Sequence, residues 1–278
     1  MAVVMLIITL MTYLFVVPLV NTAASYFAYL IEAPSGGWTA YTEIANSTVW
    51  GVLASHLGLI TVIFIVWGYL RFVQQRRMVW LWSVSPGVRW RFGVICLFVC
   101  VIVVGAVSTY RWFTATGWNP EPKWIWFLVV VVLTTPFQAL AEEVLFRGYL
   151  MQLCGSILRN DWFAIIATAL IFALFHGSQD PWLFGSRFTF GLLAGFLVLK
   201  TGGLEAAVAI HILNNLCAYG LAILTGTVAD IRSATSVSWT QAVTEASMYA
   251  VCAAICWGIA VKLRVPTKVR STPTKVSK

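Results

Sequence analysis

The sequence predicts an all-α membrane protein, a polytopic bundle of about eight transmembrane helices around a polar intramembrane cavity. Of its 278 residues, 60% are hydrophobic and only 10% are charged. The mean hydropathy is +0.86. Soluble domains have about 25% charged residues, so we expect most of this chain to lie in a lipid bilayer.

Eight apolar segments are predicted to cross the membrane. A helix needs about 20 apolar residues to span about 30 Å of hydrocarbon. The first segment is longer than the apolar part of a signal peptide and has no basic residues before it, which favours a retained helix. The predicted spans are residues 3–30, 49–70, 92–113, 124–157, 162–177, 183–199, 204–225 and 241–261.

These spans divide the chain into four parts. Residues 1–123 hold the first three helices, and residues 124–225 hold the four helices that carry most of the intramembrane polar groups. Residues 226–264 contain the final helix. Residues 265–278 form a short basic tail, which is predicted to be cytoplasmic.

Lysine and arginine are distributed unevenly between the predicted loops. The second span is followed by five arginines, and the last span by six basic residues and no acidic residue. Short cytoplasmic loops are enriched in these residues, so both termini and the loop at 74–91 are predicted to be cytoplasmic. The net charge of +8 then favours anionic lipid as a partner. No segment resembles a nucleic-acid-binding module, so we expect no nucleic acid.

The stretch AEEVLFRGYL, residues 141–150, places three charged side chains inside the fourth span. A charge at the centre of a bilayer costs from about 2.5 to more than about 10 kcal/mol, so it needs a partner or a function. Glu143 and Arg147 are four residues apart, which favours an ion pair. Glu142 points about 100° away and has no local partner. In the alternative interpretation, all three cap a helix end at the lipid interface.

The three histidines of the chain all lie in predicted spans. We expect His56, which stands alone, to form an interhelical hydrogen bond. His176 ends the fifth span, and His211 shares a helix face with Asn215. If spans four and five form a hairpin, Glu142 and His176 lie at nearly the same depth.

Three spaced motifs on these helices resemble a known family. The order of the motifs is similar to that of the CPBP, or Abi, intramembrane proteases, which include type II CAAX prenyl endopeptidases and bacteriocin-processing proteins. The resemblance covers residues 124–225, and the other spans match only as apolar helices. The motifs are EExxxR (Glu142, Glu143, Arg147), FxxxH (Phe172, His176) and HxxxN (His211, Asn215).

The resemblance implies an intramembrane endopeptidase in a bacterial plasma membrane, acting on a membrane-associated protein or peptide. Hydrolysis of a peptide bond needs an activated water, donors for the oxyanion and a proton for the leaving amine. The family roles assign Glu142 and His176 to the water and His211 and Asn215 to the oxyanion. Glu143 and Arg147 become a supporting ion pair.

The resemblance favours no cofactor, but a metal-dependent mechanism is an alternative. Glu142, His176 and His211 form a set of two histidines and one carboxylate that suits zinc or another divalent metal. No HExxH motif is present. The reaction is the same in both mechanisms.

Two alternatives come from other functional classes. A proton-coupled transporter also places Glu, His and Arg in its helices, but it usually shows repeated halves and paired broken helices, which are absent from this sequence. A non-catalytic membrane scaffold has no need to keep every motif residue. All of the motif positions are filled here, which favours the protease.

The distribution of basic residues predicts the result of a topology experiment. Reporter fusions at Gly37, in the loop at 32–48, and at Lys278 should give opposite signals, because the loop is external and the C-terminus is cytoplasmic. Periplasmic phosphatase activity and cytoplasmic fluorescence are suitable readouts. Matching signals from the two fusions would contradict the arrangement with eight spans.

Overall fold

A computed structural model describes residues 1–32, 35–114 and 117–269, so the basic tail lies outside the described residues from position 270 onward. Long helices account for most of these residues. The long helices are α1 (Ala2–Glu32), α3 (Val49–Gly68), α5 (Trp90–Thr114), α6 (Trp124–Glu143), α8 (Asp161–Leu174), α9 (Pro181–Thr201), α10 (Glu205–Thr225) and α12 (Trp239–Lys262). The short helices are α2 (Gly37–Ile44), α4 (Val79–Trp82), α7 (Met151–Leu158) and α11 (Val228–Ser233).

The predicted all-α fold is confirmed, with one correction to the spans. Within the described residues, 7 helices are long and apolar enough to cross a membrane. The predicted span at 162–177 corresponds to α8, which has only 14 residues and a length of about 21 Å. This helix ends early because the chain turns at Gly177, whose φ is 78°. Since α8 still reverses the chain, α9 to α12 keep the directions that eight spans predict.

The fourth span is one continuous helical segment of 35 residues, from Trp124 to Leu158. Pro136 lies inside α6 without ending it. The regular hydrogen bonding changes to a π-helix at Val144–Leu150, directly after the two glutamates. Such π turns often lie at functional sites, and this one contains Arg147.

Apolar side chains cover much of the outer surface of the bundle. Phe15 of α1 is 78% exposed, Phe98 of α5 is 66% exposed and Leu133 of α6 is 63% exposed. Large apolar surfaces of this kind are rare on soluble monomers and face the hydrocarbon in membrane proteins. The chain is therefore a multi-pass membrane protein, and its polar groups are collected inside.

One end of the bundle, which we call the Arg89 end, is held together by a single arginine. The Arg89 guanidinium pairs with Glu205 at the start of α10, with Nη2 2.5 Å from Oε2. Its Nη1 donates to the carbonyls of Thr201 and Pro266 at 2.7 and 3.1 Å. The start of α5, the turn between α9 and α10, and the segment after α12 therefore meet here.

The opposite end, which we call the α11 end, contains the other termini of the same helices. Arg232 of α11 donates to the carbonyls of Asn46 and Gly51, both at 2.9 Å. Near the end of α5, Arg111 Nη1 lies 3.5 Å from Glu245 Oε1 of α12. The two ends of the bundle therefore carry different sets of loops. Helix α10 runs from one end to the other through the middle of the bundle, in contact with α5, α6 and α9.

Candidate active site

A cavity of about 1120 Å³ lies between the helices, and it contains the polar residues that the sequence singled out. Glu142 and His211 line its inner part and are 7% and 4% exposed. His176 and Asn215 line the same cavity. The structure therefore brings together all four residues that the resemblance assigns to catalysis, from α6, α10 and the turn after α8.

Glu143 and Arg147 form a fully buried ion pair. Arg147 Nη1 lies 2.8 Å from Glu143 Oε1, and neither side chain has any exposed surface. The guanidinium carbon also lies 4.4 Å from the ring centroid of Phe172 and 5.2 Å from that of Phe190. Cation–π contacts are strongest when they are desolvated, so the two rings and the carboxylate together compensate the arginine charge.

His211 connects the two neighbouring glutamates through opposite sides of its ring. Its Nδ1 donates to Glu143 Oε1 at 2.7 Å, and its Nε2 lies 3.3 Å from Glu142 Oε2. The two carboxylates therefore diverge from adjacent positions on α6. Glu143 points to Arg147, whereas Glu142 lines the cavity.

His176 lies in the turn after α8, at the wall of the cavity. Its Nδ1 donates to the Phe172 carbonyl at 2.8 Å, and its ring packs edge-on against the Phe172 ring at 4.7 Å. Nε2 is then the ring nitrogen that remains for a molecule in the cavity. The described residues show no direct hydrogen bond or ion pair between His176 and Glu142, although both line the same space.

Asn215 is held by a chain of side-chain amides. Its Nδ2 donates to Gln138 Oε1 at 3.0 Å, and its Oδ1 accepts from Asn214 Nδ2 at 3.2 Å. Asn214 in turn accepts from the Tyr249 hydroxyl at 3.0 Å. The second hydrogen of the Asn215 amide remains for a group in the cavity.

The sequence did not identify Gln138 and Tyr249, which hold Asn215 and Asn214 through hydrogen bonds. Gln138 lies four residues before Glu142 on the same face of α6. Helical spacing alone therefore predicts that the two side chains are neighbours. Tyr249 lies on α12, far along the chain from the motifs, and no local pattern connects it with Asn214. His56 was predicted correctly, because its Nδ1 donates across to Thr134 Oγ1 of α6 at 2.6 Å.

The geometry does not assemble a metal site. In the parts of the chain that the structure describes, no group of three His, Cys, Asp or Glu side chains is placed to hold a metal ion. The ring nitrogens of His211 are directed at two carboxylates, and Nδ1 of His176 is bound to a backbone carbonyl. In the described structure, these contacts are direct hydrogen bonds to carboxylates and to a backbone carbonyl.

Comparisons with known proteins agree with the resemblance found in the motifs. Residues 122–217 match the family described as type II CAAX prenyl endopeptidase Rce1-like. The uncharacterized protein YyaK of Bacillus subtilis (strain 168) is 26% identical over 174 residues, which cover 58% of this chain and 58% of YyaK. The match thus spans less than two thirds of that relative.

No solved structure matches the chain. The matched segment contains all three motifs and the π-helix of the fourth span. This similarity supports a protease role, and it confirms the resemblance expected from the sequence. The chain is a multi-pass membrane protein that is similar, over residues 122–217, to the type II CAAX prenyl endopeptidases of the Rce1-like family.

Proposed function

We propose that the protein is an intramembrane endopeptidase in which Glu142 activates the hydrolytic water. The observation that carries this proposal is the divergence of the two glutamates. Glu143 is committed to Arg147, while Glu142 lines a cavity that also contains His176 and Asn215. The family similarity over residues 122–217 supports the same class of reaction.

In the proposed reaction, Glu142 and His176 hold a water molecule between them in the cavity. The water oxygen adds to the carbonyl carbon of the scissile bond while Glu142 accepts one proton. The C–N bond then breaks, and Glu142 returns this proton to the leaving nitrogen. One water and one peptide bond therefore give a carboxylic acid and an amine, and such acid–base catalysis contributes about 10²- to 10⁴-fold in rate.

We propose that His211 stabilises the oxyanion through Nε2, because Nδ1 is bound to Glu143. Its Nε2 lies 3.3 Å from Glu142 Oε2, next to the carboxylate that is proposed to activate the water. The ring lies between these two carboxylates, and the same Glu143 oxygen also binds the Arg147 guanidinium. Nε2–H can then donate to the developing negative charge, with Asn215 Nδ2 as the second donor.

We also propose that the substrate is a membrane-associated protein or peptide. The cavity lies between helices whose outer faces are apolar, so its polar groups lie at the depth of the bilayer, where a membrane-associated substrate is held. The cell membrane is the proposed location, with both termini cytoplasmic as the basic loops predict.

Substituting each glutamate separately tests the two assigned roles. Glu142→Gln keeps the shape of the side chain but removes the base, so kcat should fall at least about 100-fold with an unchanged melting temperature. Glu143→Gln should lower the stability by about 3 to 5 kcal/mol, because Arg147 loses its buried partner. The measurements are cleavage rate and thermal unfolding in detergent.

Each variant is the matched control for the other, because the residues are adjacent and the change is the same. Both variants are quantified for expression and membrane insertion before the assay. Substantial cleavage by Glu142→Gln would remove Glu142 from the proposed mechanism. Reversed phenotypes, with an unstable Glu142→Gln and a stable but inactive Glu143→Gln, would exchange the two roles.

Two neighbouring asparagines allow a second comparison. Asn215→Ala removes a proposed oxyanion donor, so kcat should fall by about 10²- to 10³-fold with little change in KM. Asn214→Ala removes only a group that orients Asn215, so its loss should be smaller. Equal losses, or a larger loss from Asn214→Ala, would show that Asn215 does not donate to the oxyanion.

A metal-dependent mechanism predicts a different response to chelation. Because the ring nitrogens of His211 are directed at carboxylates, we expect cleavage to persist after exhaustive dialysis against a divalent-metal chelator. Metal content is measured in the same sample by mass spectrometry. Activity lost on dialysis and restored by one equivalent of zinc would instead make Glu142, His176 and His211 ligands.

A further inference from the structure

A second cavity, which we call the α5–α12 groove, lies at the Arg89 end of the bundle. Its volume is about 400 Å³. One wall consists of residues 89–92, at the start of α5, and the other wall consists of residues 263–266, directly after α12. None of these residues lines the cavity that contains Glu142. The groove is therefore a separate feature, and the proposed reaction does not use it.

Arg89 holds the two walls of the groove in place. Its Nη1 donates to the Pro266 carbonyl of the opposite wall at 3.1 Å, and its Nε donates to Glu205 Oε1 at 2.9 Å. The guanidinium carbon also lies 5.4 Å from the ring centroid of Phe92, which is buried. The groove is therefore preformed, and Arg89 is already committed to partners within the protein.

Two other arginines of the groove remain for a ligand. Arg91 and Arg264 line the groove, and both are exposed. Among the described residues, neither arginine forms an ion pair with a carboxylate. The sequence has no acidic residue at positions 44–120 or 246–278, and the Glu205 carboxylate is already paired. The groove therefore carries two positive charges for which the described structure provides no acidic partner.

The groove lies where the ends of two membrane-spanning helices meet an apolar outer surface. Trp90, at the start of α5, is 74% exposed, and tryptophan is enriched at the boundary between headgroups and hydrocarbon. Exposed apolar side chains continue from the groove along both helices. Val94 and Phe98 of α5 are 60% and 66% exposed, and Val261 of α12 is 64% exposed. A molecule in the groove therefore meets basic side chains and, next to them, a surface suited to hydrocarbon.

We propose that the α5–α12 groove binds an anionic phospholipid. Arg91 and Arg264 contact its phosphate headgroup, and an acyl chain lies along the apolar surface of α5 and α12. Basic pockets between transmembrane helices bind phospholipid headgroups in this way. Small-molecule sites have volumes of about 300 to 1,000 Å³, so the groove accommodates a headgroup. A free phosphate ion would leave the adjoining apolar surface unused, which favours the lipid.

The proposed lipid joins the start of α5 to the end of α12 at the same place as Arg89. It is therefore expected to stabilise the folded protein, because a ligand that binds only the folded state shifts the unfolding equilibrium. The site is independent of the proposed function, since neither wall of the groove lines the cavity that contains Glu142.

Thermal unfolding of the full chain in detergent micelles tests the proposal. Added dioleoylphosphatidylglycerol should raise the melting temperature by at least about 3 °C, whereas dioleoylphosphatidylcholine, which has no net charge, should raise it by less than about 1 °C. Native mass spectrometry of the same samples measures how much of each lipid the protein retains. Equal stabilisation by the two lipids would show that the groove does not select a negative charge and would overturn the proposal.

Two double substitutions distinguish the groove from the general basic charge of this end. Arg91→Gln with Arg264→Gln should weaken the retention of phosphatidylglycerol at least about tenfold, because each arginine near the membrane surface contributes about 1 kcal/mol. Arg71→Gln with Arg77→Gln removes two exposed charges that follow α3 outside the groove, so it should keep the retention. Melting in phosphatidylcholine shows whether each variant is folded. Equal losses in the two double variants would indicate diffuse attraction to a basic surface and would overturn the assigned site.

Soluble anions separate the headgroup from the whole lipid. Inorganic phosphate and glycerol 3-phosphate are added in place of phosphatidylglycerol, in the same melting experiment. We expect neither to reproduce the rise in melting temperature, because neither has an acyl chain. An equal rise with either anion would make the groove a site for a free anion and would overturn the lipid assignment.

Photochemical cross-linking locates the lipid on the chain without substitutions, so this result does not depend on the folding of a variant. A phosphatidylglycerol with a photoreactive group next to its headgroup is added to the same micelles. Peptides that contain residues 89–92 or 263–266 should carry the cross-link. Cross-links confined to other segments would place the lipid elsewhere and overturn the proposal.

Discussion

The buried pair of Glu143 and Arg147 is the interaction on which the candidate site depends. A charge without a partner in an apolar interior is destabilising by several kcal/mol, so neither side chain is tolerated there alone. The pair fixes the face of the π-helix that follows α6, and the same carboxylate oxygen holds Nδ1 of His211. This ion pair leaves Glu142 as the glutamate that lines the cavity. It also sets the orientation of the His211 imidazole.

Polar contacts between helices also explain how the cavity keeps its shape inside an apolar bundle. Gln138, Asn215, Asn214 and Tyr249 form a hydrogen-bonded series from α6 through α10 to α12. Each amide has a partner, so the wall remains polar without unsatisfied groups at these positions. The outer faces carry exposed apolar side chains instead. The final helix therefore contributes to the candidate site although it lies outside the matched segment.

The sequence predicted features that depend on local spacing and missed those that depend on distant contacts. The pairing of Glu143 with Arg147 follows from a separation of four residues, and the long helices follow from apolar length. The contact of His211 with both glutamates joins residues 68 and 69 positions apart, and no periodic pattern contains it. The early end of α8 depends on a single glycine turn, so counting apolar residues extended this helix past its true end.

Hydrolysis in a membrane requires water as well as substrate, and the polar walls of the cavity provide a place for this water. In the proposed function, water occupies the cavity along walls that carry Arg187, Glu245 and the amides, and it reaches Glu142 at the buried inner part. At the Arg89 end, the turn at residues 201–207 is buried and bound by Arg89, and it does not line the cavity. Walls that are polar inside and apolar outside therefore allow a hydrolytic water to reach Glu142 within the bilayer.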